Sequence, residues 1–186
     1  MTGSDRPLTS FFAGWDNHNR LLTAAIASLT PEQLALRATP EHWSVGTLAT
    51  HIVGVRAYWF QEWMGVGGVD VVVPDEWDES VVAVRRADEL VAGLDTTFRM
   101  MWNALAGWTS ANLDEVFSDP RGRTDSEGRV RAHSRQRIIW HVAEHDVHHG
   151  GEISLILGMH GLKALGLWSK HMDTGHHATT PRLPAS

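Results

Sequence analysis

Residues 134–160 read SRQRIIWHVAEHDVHHGGEISLILGMH and are the most informative stretch of the chain. At about 100° of rotation per residue, the branched apolar residues of this stretch project from one side of a helix, which is predicted to be the buried side. These residues are Ile138, Val142, Ile153 and Ile156. The stretch therefore predicts a helix over residues 134–160, and Gly161 is the type of residue that commonly follows a helix end.

Four histidines fall within residues 141–149 of this helix. His145 and His149 lie on the predicted buried side, whereas His141 and His148 lie at or beyond its edge. Residues four apart lie about 6 Å apart along one helix face, which suits two imidazoles that converge on one ion. A single inward histidine is more often a hydrogen-bonded core residue, so spacing alone leaves both interpretations open.

Three further stretches carry the apolar spacing of an amphipathic helix. They cover residues 8–29, residues 43 or 44 to 64, and residues 81–106. Four long helices without a convincing sheet predict an all-α fold, a four-helix bundle. The connections at 65–80 and 107–133 are long enough to cross the bundle, so we expect crossover connections rather than a plain array of hairpins.

The segments between and after these helices predict little further regular structure. Residues 30–41 leave room for one short turn, and Val71–Val73 are too few to support a sheet. Residues 117–130 contain turn signals that allow a small hairpin. We predict one domain over residues 1–160 and a C-terminal extension over 161–186 that is partly docked or disordered.

Composition excludes several classes of protein. The chain has 186 residues, 42% hydrophobic and 20% charged, which is typical of one globular domain. A formal net charge of −6 without a basic cluster argues against nucleic-acid binding. The absence of cysteine excludes disulfides and thiolate ligands. No apolar run is long enough to span a membrane and no signal peptide is evident, so we expect a cytoplasmic protein.

A third histidine shifts the balance towards metal binding, so that spacing alone favours neither a metal site nor core packing. His51 borders the apolar stripe of the second helix, so it could face His145 and His149 across the interior. Three imidazoles are the ligand set of an open site that leaves one position for water or substrate. A rival motif is His141-Val142-Ala143-Glu144-His145, which matches the inverted zincin pattern H-x-x-E-H. That pattern is five residues long, and the chain is short for a peptidase.

The segments around these histidines resemble the DinB/YfiT-like superfamily of metalloproteins, a family related to bacterial thiol S-transferases. The resemblance rests on Leu48-Ala49-Thr50-His51-Ile52, on Trp43 ahead of the second helix, and on His145-Asp146-Val147-His148-His149-Gly150-Gly151-Glu152-Ile153. It covers about residues 8–160. It implies an up-down-down-up bundle and a divalent metal held by His51, His145 and His149. In the commoner family ending, Arg-Gly-Gln follows the last ligand, whereas this chain has Gly150-Gly151-Glu152.

By this resemblance, the protein would be a metal-dependent enzyme that transfers a low-molecular-weight thiol, of the mycothiol or bacillithiol type, to a small organic substrate. The alternatives are a hydrolase that uses metal-bound water, with Glu152 as the base, and a bundle that binds metal without turnover. Zinc is the metal expected first, although imidazoles also accept nickel, iron, cobalt and copper. Asn19, Trp59 and His148 are candidate pocket residues. A small-molecule substrate is the expected partner, and a homodimer is left open.

Overall fold

The computed structural model describes residues 6–67 and 85–166 and is mostly helical within them. The helices are α1 (Ala13–Ala27), α2 (Pro31–Leu34), α3 (Val45–Ala57), α4 (Ala87–Gly107) and α5 (Arg135–Met159). Two short strands, β1 (Val116–Ser118) and β2 (Ala132–Ser134), form an antiparallel pair in which Phe117 faces His133. The predicted short turn after the first helix is α2, and the predicted small hairpin is the β1–β2 pair.

The first long helix begins later than the apolar spacing predicts. Residues Leu8–Ser10 form a separate 3₁₀ turn, and α1 starts only at Ala13. The backbone N–H of Leu8 donates to the carbonyl of Trp108 at 2.9 Å. The expected continuous helix over 8–29 is therefore wrong at its N-terminal end, because Leu8 is tied to the end of α4 instead of continuing the α1 axis.

The second helix starts where it was expected but changes its winding near the end. The Ser44 hydroxyl accepts a hydrogen bond from the backbone N–H of Thr47 at 3.2 Å, which is a standard N-cap. After Ala57 the chain continues as a π-helix over Tyr58–Trp63. This wider i→i+5 winding was not predicted, since the apolar spacing of a helix does not reveal one extra residue in a turn.

The last two long helices lie where the sequence predicts them, although α4 begins six residues later than the apolar pattern indicates. α4 begins at Ala87, after Arg86, whereas the pattern placed its start at 81, and residues 81–84 and Val71–Val73 lie outside the described ranges. α5 begins after the N-cap Ser134, and Gly161 follows it with φ +70°. The prediction of a helix over 134–160 ended by this glycine is confirmed.

The helices enclose two clusters of buried apolar side chains, and α3 packs against both α4 and α5. α1 packs against the same two helices, so all four long helices share one interior. Leu165 packs into the cluster that contains Leu22, Ile52 and Ile153. Its N–H donates to the Ser154 hydroxyl at 3.1 Å. Within residues 6–67 and 85–166, no helix is long and apolar enough to cross a membrane.

Candidate metal centre

Three imidazoles from two helices meet at one place in the structure. His51 comes from α3, whereas His145 and His149 come from successive turns of α5. The Nε2 atoms of His51 and His145 are 2.9 Å apart. One ring nitrogen from each of the three histidines lies within 4.8 Å of the other two. The structure thus brings together the three histidines that the sequence selected as metal ligands.

Burial keeps the central histidine of this group neutral. The pKa of His145 is lowered to about 3, chiefly because burial penalises the imidazolium and secondarily because His149 and His51 stand beside it. A neutral imidazole retains the lone pair that a metal ion requires. The Nδ1 atom of His145 is buried and has no hydrogen-bond partner in the part of the chain that the structure describes. Its other ring nitrogen, Nε2, faces Nε2 of His51 and is the one available to an ion.

The spacing of the three nitrogens fits a tetrahedral ion. Metal–nitrogen bonds of about 2.0–2.1 Å place two ligands of zinc roughly 3.4 Å apart. The Nε2 atoms of His51 and His145 are 2.9 Å apart, about 0.5 Å closer than that value, and one nitrogen of His149 lies within 4.8 Å of the other two. Three imidazole nitrogens, with a fourth position left over, are a ligand set that suits an exchangeable substrate or water. The residues present therefore fit a divalent transition metal.

Glu152 lies beside the group and touches one of its members. Its carboxylate oxygen Oε2 is 2.5 Å from Nδ1 of His149, so Nδ1–H donates to it and Nε2 is left with its lone pair. The same oxygen is 3.8 Å from Nε2 of His148, whose side chain is 66% exposed. Glu152 thus orients a proposed ligand, and His148 lies on the outer side of this pair.

Trp43 forms part of the wall of the group, which the sequence did not predict. Its ring centroid is 4.8 Å from that of His51, edge to face, and 6.1 Å from that of His149. The residue remains 46% exposed. Trp43 precedes the N-cap of α3, and helical periodicity says nothing about the direction of a side chain outside a helix. The signals in the sequence were its position directly before Ser44 and its place in the family resemblance.

Trp59 and His141 form a neighbouring aromatic contact. Their ring centroids are 5.1 Å apart, and Trp59 also lies 5.6 Å from His133 and 4.8 Å from Trp63. The pKa of His141 is lowered, mainly by burial. Among the described residues His141 belongs to neither group of three potential metal ligands. The arrangement that the inverted zincin pattern requires, with His141 and His145 as ligands, is not what the structure brings together.

Asn19 lies in a buried polar network in the interior of the helices. Its side-chain oxygen accepts a hydrogen bond from Nη1 of Arg56 at 2.9 Å, and Asn19 is 4% exposed. Arg56 in turn forms a salt bridge with Asp146 at 2.7 Å, and both side chains are fully buried. The network consists of Trp15, His18, Asn19, Arg56 and Asp146. The structure thus places Asn19 in this network, with a partner on a neighbouring helix.

Comparisons with known proteins agree with this architecture. The family model described as the DinB family matches residues 4–177. A DinB-like protein from Bacillus cereus has a similar structure, with a TM-score of 0.65 and 20% sequence identity over 87% of this chain and 97% of that one. At that identity the likeness concerns the fold alone. A search of curated proteins found no match. Because the family match spans nearly the whole sequence, the chain belongs to the DinB family.

Proposed function

We propose that the protein is a divalent-metal-dependent enzyme that transfers a low-molecular-weight thiol to a small organic electrophile. One observation carries the proposal, namely the convergence of His51, His145 and His149 on a common point with their ring nitrogens within 4.8 Å. Purely apolar packing has no use for three imidazoles at one place. Zinc is the first candidate, and nickel, iron, cobalt and copper suit the same donors.

A divalent ion held by the three imidazoles would supply a positive charge that lowers the pKa of a bound thiol and favours its thiolate. The nucleophilic sulfur has to come from the cosubstrate, because the chain contains no cysteine. In the transfer, the sulfur forms a bond to the electrophilic carbon, and the leaving group departs with the electron pair of the broken bond. Mycothiol and bacillithiol are the thiol types proposed.

The surrounding residues have separate tasks in this proposal. Glu152 accepts a hydrogen bond from Nδ1–H of His149, and this bond fixes the tautomer whose Nε2 can bind the ion. The second oxygen of Glu152 is the candidate acceptor for the proton that the thiol loses. Trp43 offers a partly exposed aromatic face beside His51 for the apolar part of a substrate. Trp59 and His148 are proposed to line the approach rather than to bind the ion.

The remaining expectations are part of the same proposal. Up-down-down-up order is supported by the two long connections and by the packing of α1 and α3 against both α4 and α5. A cytoplasmic location, where low-molecular-weight thiols are kept reduced, suits the absence of cysteine. A small molecule is the proposed partner, and a homodimer is compatible with it.

The test uses metal-loaded protein incubated with a thiol and a chlorinated aromatic electrophile, with the thioether product and released chloride measured together. Product that depends on both thiol and metal supports the proposal. Ester cleavage without thiol would instead favour a metal-dependent hydrolase in which Glu152 is the base. Stoichiometric metal binding without either activity would indicate a binding protein and would contradict the enzyme proposal. Two variants test the neighbouring side chains. Glu152→Gln tests the carboxylate as the proton acceptor, and His148→Ala tests whether the imidazole lines the approach of the substrate.

A further inference from the structure

A fully buried ion pair joins the same two helices that carry the three histidines. Arg56 on α3 and Asp146 on α5 both have side chains that are 0% exposed. Nε of Arg56 donates to Oδ2 of Asp146 at 2.9 Å, and Nη2 donates to the same oxygen at 2.7 Å. The two residues are 90 positions apart in sequence. The pair is therefore a specific tertiary link between α3 and α5.

The other two long helices also reach this pair. From α1, Nε1 of Trp15 donates to Oδ2 of Asp146 at 2.6 Å, and Asn19 accepts from Nη1 of Arg56 at 2.9 Å. From α4, the carbonyl of Leu94 accepts from Nη1 at 3.1 Å. All four long helices thus meet at one network of directional contacts.

A close contact between α1 and α5 adds to this constraint. Nε2–H of His18 donates to the backbone carbonyl of Asp146 at 3.0 Å, consistent with a pKa that burial lowers. A Cβ atom added at Gly150 would lie 2.5 Å from Cε1 of His18, a distance that side chains do not adopt. The imidazole of His18 therefore rests directly on the helix backbone between residues 146 and 150, the turn that carries His149.

Stability alone does not explain a buried pair of charges. Removing two charges from water costs free energy that their attraction only partly restores, and apolar replacements of similar size are often neutral or stabilising. The best-attested use of such a pair is to fix one alignment of two packed elements, because apolar surfaces can slide or rotate with little change in energy. A metal centre built from two helices requires that kind of alignment.

The position of the pair suits this use. Asp146 directly follows His145, and Arg56 lies five residues beyond His51. At about 100° per residue, Arg56 projects about 140° away from His51 on α3, and Asp146 projects about 100° from His145 and about 60° from His149 on α5. The pair can therefore fix the rotation and axial position of both helices without occupying the metal centre.

We propose that Arg56 and Asp146 are positioning residues for the metal centre, whose ion pair holds α3 and α5 in the alignment that keeps His51 within reach of the ion bound by His145 and His149. This inference rests on the proposed metal function. It concerns the geometry and affinity of the site rather than the stability of the fold.

The experiment replaces the pair by apolar residues of similar size, Arg56→Met together with Asp146→Leu, in the full chain. Zinc affinity is measured by competition with a chromophoric chelator, and the geometry of the site by the visible absorption spectrum of bound cobalt(II). We expect a protein that is folded at the assay temperature, with zinc affinity at least tenfold weaker and an altered cobalt spectrum. Its melting temperature should be lower than the parent's, because Nε1–H of Trp15 and Oδ1 of Asn19 lose their buried partners. Ile139→Val, a conservative core change on α5, is the control and should leave affinity and spectrum unchanged.

Arg56→Lys is the second variant, for the case in which the double variant does not fold. It keeps the charge but cannot contact Asp146, Asn19 and the Leu94 carbonyl together. We expect it to fold and to bind zinc more weakly than the Ile139→Val control. A folded variant of either kind with the parent's zinc affinity and cobalt spectrum overturns the positioning role and leaves the metal centre intact. If the parent binds neither metal, the proposed function fails and the positioning role fails with it.

Discussion

Replacing His51 by alanine should remove most of the stabilisation that zinc gives to the folded protein. The substitution leaves His145 and His149, whose ring centroids are 4.3 Å apart, as a two-ligand site. Loss of an outer partner of a ligand already costs about 10–100-fold in affinity, so loss of a ligand should cost at least about 100-fold. At a zinc concentration 100 times the parent's Kd, zinc binding stabilises the parent by about 2.7 kcal/mol. The variant should gain only about 0.4 kcal/mol under the same conditions.

Thermal unfolding with and without zinc measures this difference. For a chain of this length, 1 kcal/mol corresponds to about 2–4 °C, so zinc should raise Tm by about 5–11 °C in the parent and by about 1–2 °C in His51→Ala. The metal-free variant should unfold close to the metal-free parent, because His51 is only half-buried. His148→Ala, which removes an exposed neighbouring imidazole, is the matched control and should keep the parent's shift. A full zinc shift in His51→Ala would refute the three-histidine centre.

Three further predictions concern the neighbours of His51. Gly150→Ala should lower the free energy of unfolding by about 1–3 kcal/mol in urea denaturation because its Cβ has no room, whereas Gly151→Ala, with nothing within 4 Å, should raise it by up to about 1 kcal/mol. The neutral His145, with a pKa lowered to about 3 in the folded state, takes up a proton on unfolding between pH 6.5 and 3, so metal-free stability should fall as pH falls through this range. The contribution of His145 to this slope cannot exceed about 1.4 kcal/mol per pH unit, because one proton is taken up, and His145→Asn should reduce the slope in denaturation at several pH values. Glu152→Gln, which keeps an acceptor for the neighbouring ligand, should retain zinc affinity within a few-fold, whereas Glu152→Ala should weaken it about 10–100-fold in chelator competition. The parent's affinity in both variants would show that the side chain of residue 152 does not orient the ligand.

The convergence of the three histidines could be predicted because helical periodicity gives the direction of a side chain. His145 and His149 share the apolar side of α5, and His51 borders the apolar stripe of α3, so their convergence required only that the two helices face each other. The boundaries of α5 were equally accessible, since Ser134 and Gly161 are typical end residues.

The buried ion pair could not be predicted in the same way. A charge inside an apolar stretch has meaning only with its partner, and the partner of Arg56 lies 90 residues away on another helix. Glycine is unfavourable inside a helix, and only the structure shows that Gly150 of α5 makes room for His18. Both features depend on contacts between helices. The sequence of one helix alone does not reveal such contacts.

The π-helical segment at Tyr58–Trp63 affects how this chain should be compared with its relatives. A π turn accommodates one residue more than an α turn, so side chains within the segment point in directions that α-helical periodicity does not give. His51 lies in the α-helical part before the segment, whereas Trp63 is the last residue of the π-helical part. A relative with an unbroken α-helix there would need a one-residue gap in the alignment. Without that gap, side chains aligned at the end of the segment, such as that of Trp63, would point about 100° apart while the histidine upstream still matched.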